Sequence, residues 1–152
     1  DKRCVVPLIS RNALVPYSVE EMYHLVADIE AYPEFLPWCR ATEVLERNDD
    51  QVRASIEIAR GALNKTFTTL NRMQKNKVIE MRLLKGPFKH LEGFWRFDAL
   101  KDESACKISL DMDFEFESKL VAFAMGSIFN QIANTMVDAF SKRAVEVYGE
   151  RI

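Results

Sequence analysis

The chain has 152 residues, of which 48% are apolar and 29% charged, with a formal net charge of −2. These are the values of a single globular domain, 1–152, long enough to bury a sizeable core, and they exclude disordered, collagen-like and disulfide-dense classes. Cys4, Cys39 and Cys106 are too few and too scattered for a disulfide framework, and no Cys-x-x-Cys pair is present to hold zinc. A reducing, cytoplasmic setting is therefore expected.

The opening DKRC is charged and followed by only a few apolar residues, so neither a secretory signal nor a transit peptide is expected there. Residues 1 to 8 are expected to be flexible. Ile9, Arg11, Ala13 and Val15 alternate with Ser10, Asn12 and Leu14, which predicts a first strand ending at Pro16. Ser18 and Glu21 have capping-box spacing, with Tyr17 and Met22 at the staple positions, so a helix should begin near Val19. Pro33 and Pro37 then prevent long continuation, and at most one short helical turn fits between them.

From Glu43 the period changes to two. Val52, Ala54, Ile56 and Ile58 alternate with polar neighbours, as do Lys65, Phe67 and Thr69 with Thr66, Thr68 and Leu70. Further strands are expected at 77–85, 91–99 and 105–116, separated by turn signals such as RNDD, QKNK and KDES. Connections this short suit antiparallel neighbours and leave no room for crossover helices.

The chain closes with a helical pattern from Lys119 to Tyr148, capped by Ser118 and stopped at Gly149. Its apolar arc holds Val121, Met125, Ile128, Phe129, Ile132, Met136, Phe140 and Val147. Ser127, Asn130, Gln131, Asn134, Asp138, Ser141 and Lys142 lie opposite. The uncharged run within it contains Asn, Gln, Ser and Thr, which favours a buried helix over a membrane span. Leu120 and Phe123 fall toward the polar face, where nothing in the helix itself buries them.

Charge is uneven. Residues 60 to 96 hold nine Lys/Arg against Glu80 and Glu92, whereas residues 97 to 117 hold seven acids against two lysines. Either basic and acidic strands pair across the sheet, or Lys75, Lys77, Lys85 and Lys89 belong to a basic surface for anionic lipid or RNA. Asp111, Asp113, Glu115 and Glu117 alternate with Leu110, Met112, Phe114 and Phe116, an outward acidic face over an inward core face.

Neither His24 nor His90 has metal-ligand spacing, and no nucleophile elbow, phosphate-binding glycine loop or dinucleotide fingerprint occurs. Cys39 has no base nearby in sequence. No catalytic residue and no metal site is expected. The unusual feature is large apolar side chains in irregular positions: Phe35, Leu36 and Trp38, then Pro87 and Phe88, then Leu120 and Phe123. They either plug the core or rim a hydrophobic opening.

The order strand, helix, YPEFLPWC, antiparallel strands containing GPFKHLEGFWRF, DFEFESKL and finally MVDAFSKRAVEVYG resembles the coenzyme Q-binding START-type family, within the polyketide-cyclase-like superfamily. The likeness covers residues 9 to 149, and the bacterial ribosome-association toxins look closest within it. The resemblance implies an α+β helix-grip fold (START/Bet v 1-like), a curved antiparallel sheet of six to seven strands wrapped around the long C-terminal helix. It implies an apolar cavity for a noncovalently bound polyprenyl quinone or other apolar lipid, in support of respiratory electron transport, with no enzymatic activity and no covalent cofactor. Trp95, Phe97, Phe114, Phe116, Met125, Phe129, Ile132 and Met136 would line it, Phe35, Leu36, Trp38 and Phe88 would meet the ligand at one end, and Leu120 and Phe123 would form the entrance. The toxin likeness carries an alternative: binding the large ribosomal subunit and blocking subunit joining. A third reading, a polyketide cyclase or dehydratase-like enzyme, would need an acid/base pair inside the cavity. Peripheral contact with an inner membrane fits the quinone reading; DNA binding fits none.

Overall fold

The computed structural model describes residues 8–151, so the flexibility expected of residues 1 to 7 lies outside them. Ser18 and Glu21 set the first transition from strand to helix. The Ser18 N–H donates to Glu21 Oε1 at 2.9 Å and the Glu21 N–H donates to Ser18 Oγ at 3.1 Å, which satisfies two donors that a helix start leaves open. Strand β1 (Ile9–Val15) precedes this cap and α1 (Val19–Ala27) follows it. A 3-10 turn, Ile29–Ala31, leads into the single-turn α2 (Tyr32–Phe35), where Pro33 stands in the first turn and its missing N–H removes no helical bond.

Six strands follow: β2 (Cys39–Arg47), β3 (Gln51–Arg60), β4 (Leu63–Gln74), β5 (Val78–Lys85), β6 (Phe88–Ala99) and β7 (Cys106–Phe116). They form one antiparallel sheet with β1, in the order β1-β7-β6-β5-β4-β3-β2, so α1 and α2 carry the chain from one sheet edge to the other. Two boundaries differ from expectation. Strand β2 starts at Cys39, directly after Trp38, and its register shifts between Cys39 and Ala41 and between Val44 and Glu46 interrupt the alternation that announces a strand. Phe88 opens β6 and does not sit in the connection; a shift between Phe88 and His90 hides it in the same way.

The concave face carries Ala54, Ile58, Phe67, Ile79, Leu91, Trp95, Phe97, Ile108, Leu110 and Met112, all buried. On β7, Asp111, Asp113 and Glu115 point the other way, as their alternation with Leu110, Met112 and Phe114 requires, while Glu117 lies beyond the strand.

Helix α3 (Lys119–Tyr148) lies in this concavity. Ser118 Oγ accepts from the Val121 N–H at 3.1 Å, and Gly149, with φ 87°, ends the helix in a conformation that favours glycine. Met125, Phe129, Ile132, Ala133, Val137, Phe140 and Ala144 are its buried residues. Val147, placed on the apolar arc by the wheel, is exposed, and Val121, Ile128 and Met136 are only half-buried. The last turn packs toward α1 instead of the sheet: the Tyr148 hydroxyl donates to the Glu21 carbonyl at 3.0 Å and the Tyr17 and Tyr148 rings lie 5.9 Å apart. By length and composition α3 could cross a membrane, but its apolar arc is the one the sheet grips. The Phe140 ring stands edge-on to Trp95 at 5.4 Å, and each of these side chains adds roughly 1.5–3 kcal/mol by burial.

Candidate functional site

The space between the sheet and α3 does not close completely. A cavity with a free volume of about 40 Å³ is walled by Ile56, Ile58, Phe67, Met81, Leu91, Trp95 and Met112 from the sheet, by Phe129, Ile132, Ala133 and Met136 from α3, and by Ile29, Tyr32 and Trp38. Tyr32, Thr69 and Asn71 bring hydroxyl and amide groups to this wall, which among the described residues holds no carboxylate, lysine, arginine or histidine. The Tyr32 hydroxyl is engaged with the Val26 carbonyl, and burial pushes its phenol well above the ordinary range, so it is neutral. Thr69 and Asn71 are 3% and 6% exposed, and Thr69 Oγ1 donates to Asn71 Oδ1 at 2.9 Å.

Of the aromatic and aliphatic residues expected at the cavity, Trp38, Trp95, Phe129, Ile132 and Met136 line it. Phe88, Phe114 and Phe116 instead form a plug at the end of the sheet where β5 turns into β6. The Phe129 ring sits 4.8 Å from Phe114 and 5.0 Å from Phe88, and Phe88 stacks on Phe116 at 5.2 Å. Met125 is buried outside the cavity wall. Phe97 stacks beside Trp95 and meets Tyr23 of α1 edge-on at 5.5 Å, away from the cavity. Phe35 packs against Phe140 at 5.2 Å and Tyr32 at 6.1 Å, and Leu36 is 1% exposed.

Phe35, Leu36, Pro37 and Trp38 also border an outer groove of about 410 Å³, with Arg60 of β3 and Gln131, Ile132, Thr135 and Asp138 of α3. Trp38 and Ile132 front both spaces, so these two side chains are the partition between the cavity and the outside. Arg143 fastens the segment over them: its guanidinium lies 4.9 Å over the Phe35 ring and donates to Glu34 Oε1 at 2.9 Å. The prolines hold this corner where regular hydrogen bonding stops, between the Leu36 N–H to Tyr32 carbonyl bond and the Cys39 N–H to Leu36 carbonyl bond, both 2.9 Å.

Leu120 and Phe123 are 78% and 90% exposed and border no part of the cavity. They are an apolar surface at the plugged end, whereas the side chains that separate the cavity from the outer groove are Trp38 and Ile132. The four lysines do not form one surface. Lys75 and Lys77 flank the β4–β5 turn, whereas Lys85 and Lys89 stand at the opposite end of β5, roughly 25 Å away for an eight-residue strand. Part of the basic segment is taken up by cross-strand pairing, with Lys89 3.3 Å from Glu115 and Arg82 3.8 Å from Glu92. Burial pushes the Cys39 and Cys106 thiols up to about 11, so both stay protonated.

Thr69 and Asn71 were not singled out in the sequence. Their signal was the β4 alternation itself, which puts Phe67, Thr69 and Asn71 on one face and so places two polar side chains among core residues.

A curved antiparallel sheet gripping a long helix over a neutral, apolar cavity defines a helix-grip protein of the START type. The chain belongs to the polyketide cyclase / dehydrase and lipid transport family, whose model matches residues 15–141. It is 48% identical over 147 residues to the ribosome association toxin RatA of Escherichia coli K12, covering 97% of this chain and 92% of that protein. It is 29% identical over 150 residues to the mitochondrial coenzyme Q-binding protein COQ10 homolog B of Xenopus laevis, covering 93% of this chain and 59% of that protein. Among solved structures, the aromatase/cyclase ZhuI of Streptomyces sp. R1128 superposes with a TM-score of 0.80 at 17% identity, over 94% of this chain and 98% of that one. An 18 kDa Caulobacter crescentus protein superposes with a TM-score of 0.72 at 28% identity, over 93% and 98%.

Proposed function

We propose that this protein associates with the large ribosomal subunit and hinders its joining with the small one. The observation that carries this reading is 48% identity to a protein named as a ribosome association toxin over 97% of the chain. The reading places its action in the cytoplasm. The plugged end supports it physically: exposed Leu120 and Phe123 lie near the β5–β6 turn with Lys85, since β7 ends with Phe116 paired to Phe88 and α3 starts directly after it. Apolar and cationic groups side by side suit a ribonucleoprotein surface. The test is sedimentation of the purified protein with separated subunits, followed by rejoining at raised magnesium. Cosedimentation with the large subunit and fewer joined particles are expected; migration at the top of the gradient with normal rejoining contradicts the reading.

The cavity favours a second activity compatible with the first, the binding of an apolar ligand, for which the coenzyme Q-binding relative suggests a polyprenyl quinone. Among the described residues the lining holds no carboxylate and no histidine, and the binding of an apolar ligand needs none. A free volume of about 40 Å³ holds little more than a water or two, so a ligand would have to displace side chains. Met81, Met112 and Met136 are suited to this, because unbranched thioethers repack with little strain. Organic extraction of protein purified from quinone-producing cells, followed by mass spectrometry, should recover quinone in stoichiometric amount. Protein free of any extractable lipid argues against it.

A further inference from the structure

We propose that Asn71, oriented by Thr69, is the hydrogen-bonding anchor of the cavity, and that it selects apolar ligands that present a carbonyl oxygen, such as quinones, ketones or esters. This inference rests on the ligand-binding reading above. A buried amide without partners is costly, roughly 1–3 kcal/mol in proteins, so a pair like Thr69 and Asn71 in a wall of Ile, Phe, Trp and Met calls for a physical reason. The two residues are neighbours on the inward face of β4, in register with Ala54 and Val52 on β3 and with Leu83 and Met81 on β5, all apolar. Their backbone groups belong to the ladder. The Thr69 hydroxyl donates to Asn71 Oδ1 at 2.9 Å and thereby fixes the amide plane. Among the described residues, Asn71 Nδ2 donates to no protein acceptor, although the residue is only 6% exposed. The cavity therefore presents an oriented N–H donor with nothing to receive it.

The surroundings define what can receive it. Among the described residues no charged side chain lines the cavity, so a carboxylate or phosphate would be desolvated there without compensation. A pure hydrocarbon would leave the donor unsatisfied. A neutral carbonyl satisfies it, and the flat ring or chain that bears the carbonyl can lie against Trp95, Met81 and Ile132.

The test compares hexyl-1,4-benzoquinone, its hydroquinone and hexylbenzene by calorimetric titration of the parent, Asn71→Leu and Thr69→Val, with Asn71→Val as the smaller substitute if Asn71→Leu does not fold. The measure is the ratio of quinone to hexylbenzene affinity. It should fall about tenfold from parent to Asn71→Leu, the loss of one neutral hydrogen bond, while hexylbenzene binds as well or better. Thr69→Val, which keeps Nδ2 but frees the amide to rotate, should lower the ratio by a smaller factor, about two- to threefold. In infrared difference spectra the bound quinone carbonyl should absorb at lower frequency in the parent than in Asn71→Leu. An unchanged ratio, or tighter binding of the hydroquinone than of the quinone, overturns this inference and leaves apolar binding intact. Failure of the parent to bind any of the three overturns both.

Discussion

The guanidinium of Arg143 on α3 lies 4.9 Å over the ring of Phe35 on α2, and the same group donates to the neighbouring Glu34 at 2.9 Å. One side chain, itself largely buried, thus ties the corner that carries Trp38 to the helix beneath it. Cation–π and ion-pair contributions at such a site amount together to about 1–2 kcal/mol. Arg143→Ala should loosen the corner without unfolding the domain. Hydrogen exchange at the Leu36 and Cys39 amides is expected to accelerate roughly 5- to 30-fold, with β6 and β7 unchanged. Uniform acceleration across the sheet would mean that Arg143 supports the whole fold.

Gly86 turns the chain from β5 to β6 with φ 154°, and a Cβ there would stand 2.6 Å from the Phe67 Cβ. Both the backbone conformation and the contact oppose any side chain. Gly86→Ala should therefore destabilise the protein by about 2–4 kcal/mol, read as a lowered midpoint in urea with the slope unchanged. A loss below about 0.5 kcal/mol would show that the turn relaxes freely.

Gly93 on β6 presents a different case, because the nearest atom to an added Cβ is the Met81 Cε at 2.5 Å, the free end of a flexible side chain. Gly93→Ala is expected to cost under about 1.5 kcal/mol while moving Met81 within the cavity wall. Quinone recovery should drop more than stability does. Full recovery from the variant would show that Met81 is not displaced into the ligand's space.

Glu21 accepts two hydrogen bonds from Arg151, at 2.7 and 2.9 Å, and these, with the bond from the Ser18 N–H, hold its carboxyl down to about 2 from the usual 4.5. Folded protein binds this proton less readily than unfolded chain, so the stabilisation is complete above pH 4.5 and is lost as pH falls toward 2. Thermal melts of Glu21→Gln should accordingly converge with the parent near pH 2 and lie below it at pH 7. A difference that stays constant from pH 7 to pH 2 contradicts this.

Leu120→Ser combined with Phe123→Ser should change stability by no more than about 0.5 kcal/mol, as expected for side chains 78% and 90% exposed, and should weaken cosedimentation with the large ribosomal subunit. Unaltered sedimentation would move the contact to another face.

How far the sequence could be read depended on whether a feature is local. Ser18 with Glu21, Ser118 with Gly149, and the alternations of β3 and β7 are complete within a few residues, and each element follows from them. Strand β2 was harder because its two register shifts break the period on which strand recognition rests. The cavity was legible as a face but not as a depth. Phe114 and Trp95 both point inward, and alternation alone cannot say that one stands in a plug and the other beside a void. The lysines failed for a related reason: Lys77 and Lys85 are close in sequence, yet a strand separates them by its whole length. Thr69 and Asn71 were visible as inward polar residues, but only the packing around them shows that nothing answers the amide nitrogen.

The chain has two tryptophans, and both stand in the partition and wall of the cavity, Trp38 at 7% and Trp95 at 1% exposure. Its intrinsic tryptophan emission is therefore an optical report from the cavity and its partition. An apolar quinone added to the purified protein is expected to quench this emission by contact if it enters the cavity, and substitution of the exposed Leu120 and Phe123 to leave it unchanged.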